Sequence, residues 1–319
     1  MFRGLLTTAT VTVLAGLMAT GCASTLQQTR PGELELRVGP IDLPATKAGG
    51  EHAHAHAELP QDYRLFRFPE SGWITSFRPS MLDGTGAEVP GKLLHHVVIG
   101  DHDRADFLCD ASAHGHDFRF MLASGGELTA FELPDGFGIP ADADTKYVAG
   151  GVFANTLGRD YEDVSFRAAL GFVPRSAGRT LQPAVPVWID AIASCPEDGY
   201  RVPGGKRDVK TRAFSFPFSG TLLLAGGHLH DEGVSLRIFR KDTGEDLVRF
   251  EPTYSKRRVI ESIPVARFER SVHIDAGVTY VVESVYDNSM PHDVTAMGIV
   301  VAFVAPDQPD DVPGLPQVR

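Results

Sequence analysis

The 319-residue chain lacks several features that mark common functional classes. Basic residues are the minority, 30 Lys and Arg against 41 Asp and Glu, and no long basic run occurs, so we expect no nucleic-acid partner. There is no Gly-rich phosphate loop ending in Lys-Ser/Thr, no Gly-x-Ser-x-Gly elbow and no Cys-x-x-Cys pair, which leaves nucleotide-binding, hydrolase and thiol-redox functions without support. Helical periodicity is scarce. What is present, 43% hydrophobic and 22% charged residues, is the composition of an ordinary globular protein.

The N-terminal residues 1–21 have the features of a targeting signal. Arg3 supplies a positive charge, residues 5–17 supply an apolar core, and residues 19–22 resemble a bacterial lipobox. This resemblance implies cleavage before Cys22 and diacylation of its thiol; a plain secretory signal is the alternative. Elsewhere no stretch approaches the ~20 apolar residues that a bilayer requires. We therefore expect a lipoprotein held at a membrane by its lipid anchor, on the periplasmic or extracellular side.

The segment after the signal predicts a flexible tether. Residues 22–59 are rich in Thr, Gln, Pro, Gly and Ala. They contain three alternating histidines, His52, His54 and His56, which in an extended chain share a face. Loose metal chelation and a solvated tail without a specific role are both open interpretations.

The two other cysteines allow a disulfide without requiring one. Export to an oxidising compartment permits a bond between Cys109 and Cys195. The two residues are far apart in the sequence, and a bond would link two halves of the chain if two domains exist, so geometry could equally forbid the bond.

Short strand-like runs separated by Gly, Pro and Asp turns fill the chain from about residue 63 to residue 305. Such a pattern favours antiparallel sandwiches or jelly rolls. We predict an all-β protein of two tandem antiparallel β-sandwich (jelly-roll) domains. The predicted parts are an N-terminal sandwich at 60–190, a linker at 191–212, a C-terminal sandwich at 213–306 and a polar tail at 307–319.

Histidine carries the chemical signal. His228 and His230 follow an apolar run, and alternation along a strand puts both on one face, ~6.6 Å apart. Two imidazoles at this spacing can bind one copper or zinc ion, and a solvent-facing polar pair is the alternative. The adjacent His95 and His96 point to opposite faces of a regular strand, which argues against joint ligation unless a bulge turns one of them.

Together these residues resemble the copper type II, ascorbate-dependent monooxygenases, which include the peptidylglycine and dopamine hydroxylases. The C-terminal half is similar to their stress-up-regulated nodulin-like relatives, through GHLHDEGV at 227–234, YDN at 286–288 and HDVTAMG at 292–298. The resemblance implies that His228 and His230 bind an oxygen-activating copper, with Met297 as its weak thioether ligand. It also implies that His95 and His96 are two of the three ligands of a second, electron-donating copper.

The sequence departs from the family pattern at the second copper. Phe153 stands where the family has the third histidine, and Phe cannot bind copper. Either His114 or His116, which lie in a predicted solvated loop, or a histidine of the tether substitutes, or this site is incomplete. In the other site Met290 competes with Met297, but Met297 alone directly precedes the final apolar strand; core packing is the alternative fate of either.

Peptide-hydroxylating members of the family bind the substrate carboxylate through an Arg, an Asn and a Tyr. This chain has Gly226, Ile299 and Val301 at those positions, so we expect no α-amidating activity. Three hypotheses remain: a copper-dependent monooxygenase that uses oxygen to hydroxylate a C–H bond of an unknown substrate, a copper-binding or copper-handling lipoprotein without turnover, and a structural sandwich protein whose sites have decayed.

Overall fold

The computed structural model describes residues 25–45, 59–110, 118–195, 199–255 and 259–316. The predicted signal with Cys22, the histidines of the tether, and both His114 and His116 lie outside these residues. Within the described ranges the regular structure is almost all strand, joined by turns and short 3-10 segments. None of the described residues belongs to a helix that is long and apolar enough to cross a membrane. The predicted all-β class is confirmed.

The first sandwich is built from two sheets. Its strands are β1 (Leu26–Arg30), β2 (Glu33–Leu43), β3 (Gln61–Phe66), β4 (Gly72–Leu82), β5 (Leu94–Asp101), β6 (Arg119–Gly125), β7 (Phe131–Glu132), β8 (Phe137–Ala141), β9 (Tyr147–Phe153), β10 (Tyr161–Pro174) and β11 (Gln182–Pro183). Sheet I has the order β1-β2-β10-β4-β8-β11, with β7 paired to β4, and sheet II has the order β3-β9-β5-β6. Alternate apolar side chains of both sheets form one core that includes Leu36, Phe77, Val97 and Phe166.

The second sandwich is built from two four-stranded sheets, and two short two-stranded sheets flank them. Its strands are β12 (Val185–Asp190), β13 (Tyr200–Val202), β14 (Arg207–Phe214), β15 (Gly220–Leu229), β16 (Gly233–Arg240), β17 (Asp246–Phe250), β18 (Thr253–Tyr254), β19 (Ile260–Ser262), β20 (Ala266–Ile274), β21 (Tyr280–Asp287), β22 (Val294–Ala296) and β23 (Gly298–Pro306). Sheet III has the order β12-β23-β15-β20 and sheet IV the order β14-β21-β16-β17, and the short sheets pair β13 with β22 and β18 with β19. Their core includes Val187, Leu236, Phe250 and Val300.

The first sandwich begins earlier than predicted. Strand β2 lies inside the segment 22–59, which we predicted to be a tether, and it pairs with β10 in sheet I. Its Leu34, Leu36 and Val38 are buried in the core. These alternate with polar residues, which is the pattern of a half-buried strand, so the signal was present in the sequence.

The join between the sandwiches also differs from the prediction. Strand β12, placed at 185–190 in the predicted N-terminal domain, pairs along its whole length with β23 of the C-terminal sandwich. The predicted linker at 191–212 contains β13 and most of β14. The predicted polar tail packs through Val312 against the second core. The sequence of an apolar strand next to a domain boundary does not indicate which sheet the strand joins.

Sheet II and sheet III face each other across the join. Strand β23 puts Val300 and Ala302 into the second core and turns Ile299 and Val301 toward sheet II. Because both faces of β23 are buried, its sequence is a continuous apolar run. A disulfide between Cys109 and Cys195, whose Cα atoms are 5.6 Å apart, ties the loop after β5 to the loop after β12. The question that the sequence left open is thereby answered: the two cysteines pair.

Candidate metal centre

The two histidine pairs meet at the interface between the sandwiches. The ring centres of His95 and His230, which belong to different sandwiches, are 4.9 Å apart. Within the pairs, the centres of His95 and His96 are 5.1 Å apart and those of His228 and His230 are 5.3 Å apart. All four side chains are half-buried. We call these four residues the histidine cluster.

A bulge brings the adjacent histidines together. In the pairing of β5 with β9, Leu94 faces Phe153 and His96 faces Val152, so two steps along β5 match one step along β9. The extra residue is His95. A bulge of this kind redirects one side chain relative to the regular alternation. The sequence analysis allowed joint ligation by His95 and His96 only if a bulge turned one of them, and the structure has that bulge.

The other pair is placed by the end of β15. His228 and His230 are two residues apart and share a face, as the period of a strand requires. In the pairing of β15 with β23, His228 faces Ile299 and Leu229 faces Gly298. His230 follows Leu229 at the end of β15, and Met297 precedes Gly298 at the start of β23. The histidine pair and the predicted thioether therefore come from neighbouring strand ends.

One buried hydroxyl holds these strand ends in register. The Tyr286 hydroxyl accepts hydrogen bonds from the backbone N–H groups of His230, at 2.8 Å, and of Met297, at 3.0 Å. It donates to the carbonyl oxygen of Met297 at 2.6 Å. Burial raises the pKa of Tyr286 well above its ordinary value, so the hydroxyl stays protonated.

Two of the imidazoles have an acceptor at Nδ1. His230 donates from Nδ1 to the Thr295 carbonyl oxygen at 3.1 Å, which fixes the proton on that nitrogen. His228 Nδ1 lies 3.4 Å from Glu127 Oε1. In metal sites, acceptors that bind the Nδ1–H of a histidine ligand orient its ring and leave Nε2 as the atom that binds the metal. The Nε2 of His228 is buried and has no hydrogen-bond partner within the described ranges.

Glu127 is a residue that the sequence did not single out. It follows β6 in the first sandwich, 101 positions from His228, and only the packing of the two sandwiches joins them. Its Oε1 also accepts from the Gly125 N–H at 3.0 Å. Burial opposes ionisation of Glu127, but the electrostatic attraction of His228 and the hydrogen bonds outweigh burial, so the pKa of Glu127 lies below the ordinary value. No local pattern around Glu127 marks this role.

Gly125 leaves room for the His228 ring. A Cβ atom added at Gly125 would lie 2.8 Å from Cε1 of His228 and 2.4 Å from an oxygen of Glu127. Such contacts do not occur without a shift of the neighbouring groups. The absence of a side chain at this position of β6 is therefore a condition for the contact between Glu127 and His228.

Met297 lies on the cavity side of the interface and Met290 does not. Met297 is buried among Trp188, Ile299 and the disulfide, and it lines the same cavity as His96 and His228. Met290 is half-buried in the loop after β21 and is absent from the residues that line this cavity.

The N-terminal pair lacks the third histidine that the resemblance implies. Phe153 is fully buried and packs in the first core. The two candidates for a substitute in the β5–β6 loop, His114 and His116, lie outside the described residues. The observed partner of His95 is instead His230 of the other sandwich. The two pairs therefore form one cluster, whereas the resemblance assigned them to two copper ions.

The ring spacing is compatible with an ion shared by two neighbouring imidazoles. With metal–nitrogen bonds of about 2.0–2.1 Å, two rings at a tetrahedral angle have centres roughly 5 Å apart. The three observed spacings, 4.9 to 5.3 Å, match this value. Among the described residues no group of three or more His, Cys, Asp or Glu side chains is placed to hold an ion. The predicted set of His228, His230 and Met297 contains only two side chains of those types, because its third ligand is a thioether.

An apolar cavity of about 230 Å³ adjoins the cluster. It lies between sheets II and III, and its wall includes His96, His228 and Met297. Aromatic side chains form much of the remaining wall: Tyr63, Phe118, Phe120, Phe131, Trp188 and Phe303. The cavity and the histidine cluster therefore form one continuous region of the interface.

Asp190 is the second carboxyl group in this wall. It faces Ile299 across the pairing of β12 with β23, is 4% exposed, and accepts a hydrogen bond from the Ile192 N–H at 2.7 Å. Burial raises the pKa of Asp190 to about 7, although this hydrogen bond and the charges of Arg212 and His228 act in the opposite direction.

Comparison with known proteins gives no family. No protein-family model matches the chain, and no curated protein matches it. Among solved structures, the chain is similar to the STIV MCP, with 8% identity and a TM-score of 0.39 over 88% of this chain and 99% of the other. It is also similar to PNGase F, a glycosylasparaginase from Flavobacterium meningosepticum, with 8% identity and a TM-score of 0.38 over 86% and 96% of the two chains. Likenesses this weak say nothing about activity.

Proposed function

We propose that this protein binds copper at the histidine cluster, with His228 and His230 as the principal ligands and Met297 as a weak third ligand. The observation that carries the proposal is the buried Nε2 of His228, which has no hydrogen-bond partner among the described residues while Nδ1 faces Glu127. A buried nitrogen of this kind is costly unless something binds it. His95, whose ring centre is 4.9 Å from that of His230, is a candidate for a further imidazole ligand, although the described residues place no three His, Cys, Asp or Glu side chains around one point. Imidazole suits copper and zinc alike, and the thioether favours copper.

Calorimetric titration of the metal-free protein with copper tests the proposal. We expect one tight site per chain, lost in the His228→Ala variant and kept in His273→Ala, because His273 is an exposed residue paired with Asp307 far from the interface. Copper binding that is the same in both variants would remove the proposal.

A second candidate function, a copper-dependent monooxygenase, is favoured by the cavity beside the cluster. Copper with imidazole and thioether ligands supplies redox chemistry toward oxygen when bound. The chain's own residues line an apolar space next to His228. Oxygen consumption by the copper-loaded protein in the presence of ascorbate distinguishes the two candidate functions. If the protein binds copper but consumes no oxygen with any substrate tested, it is a copper-handling protein.

We also propose that the mature chain is a lipoprotein outside the cytoplasm. The disulfide between Cys109 and Cys195 is typical of oxidising compartments. Mass spectrometry of the N-terminal peptide is the test, with a diacylated Cys22 expected. A full-length chain that keeps residues 1–21 would contradict this part of the proposal.

A further inference from the structure

We propose that the interface cavity is a binding site for an uncharged molecule with one or two apolar ring systems. The cavity lies between two packed sheets: Val97, Leu224 and Phe303 of its wall belong to the first core, whereas Phe120, Trp188 and Met297 belong to a small apolar cluster at the interface. This inference does not depend on the metal, so it goes beyond the proposed function.

The size and shape of the cavity favour a small ring system. Its volume of about 230 Å³ exceeds that of the ~150 Å³ apolar cavity that holds benzene in a well-studied protein. Phe120 stacks on Trp188 with ring centres 4.2 Å apart, and Phe131 lies 4.7 Å from Phe303. A planar ring can pack against such walls in offset or edge-on geometry.

The charge of the wall disfavours an anion. Among the described residues that line the cavity there is no Lys or Arg, and two carboxyl groups, Glu127 and Asp190, are present. The wall also contains the imidazoles of His96 and His228, but His228 already faces Glu127, so an anionic ligand would lose its hydration beside two carboxyl groups with little compensation.

The same carboxyl groups do not call for a cation. Glu127 already has His228 and the Gly125 N–H as partners. Asp190 accepts the Ile192 N–H and lies in the field of Arg212. An uncharged ligand therefore leaves the electrostatic balance of the wall unchanged.

Gly226 keeps the space open. Strand β15 turns Gly226 toward the cavity and Gly227 toward the second core. A Cβ atom added at Gly226 would meet nothing within 4 Å, whereas one at Gly227 would lie 2.9 Å from Phe250. A larger side chain at position 226 can thus occupy the cavity without a clash at its first atom.

The test is fluorescence titration of the metal-free protein with N-phenyl-1-naphthylamine, an uncharged two-part aromatic probe. In the Trp73→Phe background Trp188 is the remaining tryptophan of the chain, which has 2 in total, and it lines the cavity. We expect saturable one-site binding with energy transfer from Trp188. Absence of saturable binding, or of energy transfer, would overturn the proposal.

Substitution at Gly226 locates the site. We expect Gly226→Leu to weaken probe binding at least tenfold and Gly226→Ala to weaken it about threefold. The matched control is Gly277→Leu, since an added Cβ at Gly277 also meets nothing within 4 Å but lies in a turn away from the cavity. If Gly226→Leu does not fold, Gly226→Ala decides. Equal binding in all folded variants would overturn the proposal.

Charged probes test the ligand class. The anionic 8-anilinonaphthalene-1-sulfonate should bind at least tenfold more weakly than the uncharged probe. Tighter binding of protonated 1-naphthylmethylamine than of uncharged 1-methylnaphthalene would overturn the assignment to uncharged ligands. Because all titrations use metal-free protein, they succeed or fail independently of copper binding.

Discussion

At the scale of single residues, the chemistry of the cluster depends on what each imidazole meets at Nδ1. The Nδ1–H of His230 donates a hydrogen bond to the Thr295 carbonyl oxygen, while the Glu127 carboxylate faces Nδ1 of His228. A carboxylate partner raises the basicity of the other ring nitrogen and holds the ring in place. His228 is therefore the strongest donor that we expect in the cluster.

Replacement of the carboxylate should weaken metal binding without loss of a ligand. We expect Glu127→Gln to lower copper affinity by about 10- to 100-fold, because loss of a group that hydrogen-bonds a metal-binding histidine typically has an effect of that size. The measurement is competition against a chromophoric copper chelator. Glu132→Gln, at an exposed position of β7, is the control and should keep full affinity. Equal affinities in the two variants would show that Glu127 plays no part.

The buried Asp190 should make the metal-free protein less stable as the pH rises. Its pKa is about 7 in the folded state against an ordinary value of 3.8, so the folded state binds the proton more tightly than the unfolded state. This contribution is complete below pH 4 and is lost between about pH 4 and pH 7, and its upper limit is about 4 kcal/mol.

Urea unfolding at pH 5 and pH 8 checks this. The wild type should lose more stability between the two pH values than Asp190→Asn does, because the amide cannot titrate. The exposed Asp310→Asn serves as control and should behave as the wild type. An identical pH dependence in the Asp190→Asn variant would contradict the raised pKa.

At the scale of elements, the sequence predicted one histidine pair better than the other. A period of two places His228 and His230 on one face wherever β15 is regular, so their proximity follows from spacing alone. The proximity of the His95 and His96 rings depends on a bulge opposite Phe153, and no residue type in the sequence predicts that bulge. Glu127 depends on the packing of β6 against β15, a contact between distant segments that local pattern cannot contain.

The hydroxyl of Tyr286 should couple strand geometry to the metal centre. Tyr286→Phe removes an acceptor from two N–H groups and a donor from the Met297 carbonyl oxygen, so we expect a loss on the order of 3 kcal/mol in unfolding free energy. Copper affinity should fall as well, since His230 and Met297 lose their common anchor. Denaturant unfolding and copper titration measure the two effects.

Tyr200→Phe is the matched control for that change. Its hydroxyl has a single side-chain partner, Ser284, and it touches neither His230 nor Met297 through a hydrogen bond. We expect a loss of about 1 kcal/mol and unchanged copper affinity. If Tyr286→Phe behaves no differently from this control, the coupling does not exist.

At the scale of the whole molecule, the interface between the sandwiches is where the sequence was least informative. The all-β class followed from the strand pattern, but the assignment of β12 to the second sandwich required knowing that both its faces are buried. The cluster, the cavity and the disulfide all lie at this join. The proposed site therefore depends on how the two sandwiches pack.

The disulfide should stabilise that packing. The bond closes a loop with a sequence separation of 86, for which the chain-entropy account gives a contribution of about 2–5 kcal/mol. The Cys109→Ala/Cys195→Ala variant should therefore unfold at lower denaturant concentration and bind copper more weakly, because His95 and His230 are held by different sandwiches. A variant with lower stability but unchanged copper affinity would show that the bond does not position the cluster.

The central claim is that histidines of both sandwiches serve one copper centre. Copper stoichiometry and affinity in a double-mutant cycle of His95→Ala and His230→Ala test it most directly. We predict one copper per chain in the wild type, and an effect of the double variant clearly smaller than the sum of the two single effects. Two copper ions per chain, one lost with each substitution, would contradict a shared centre.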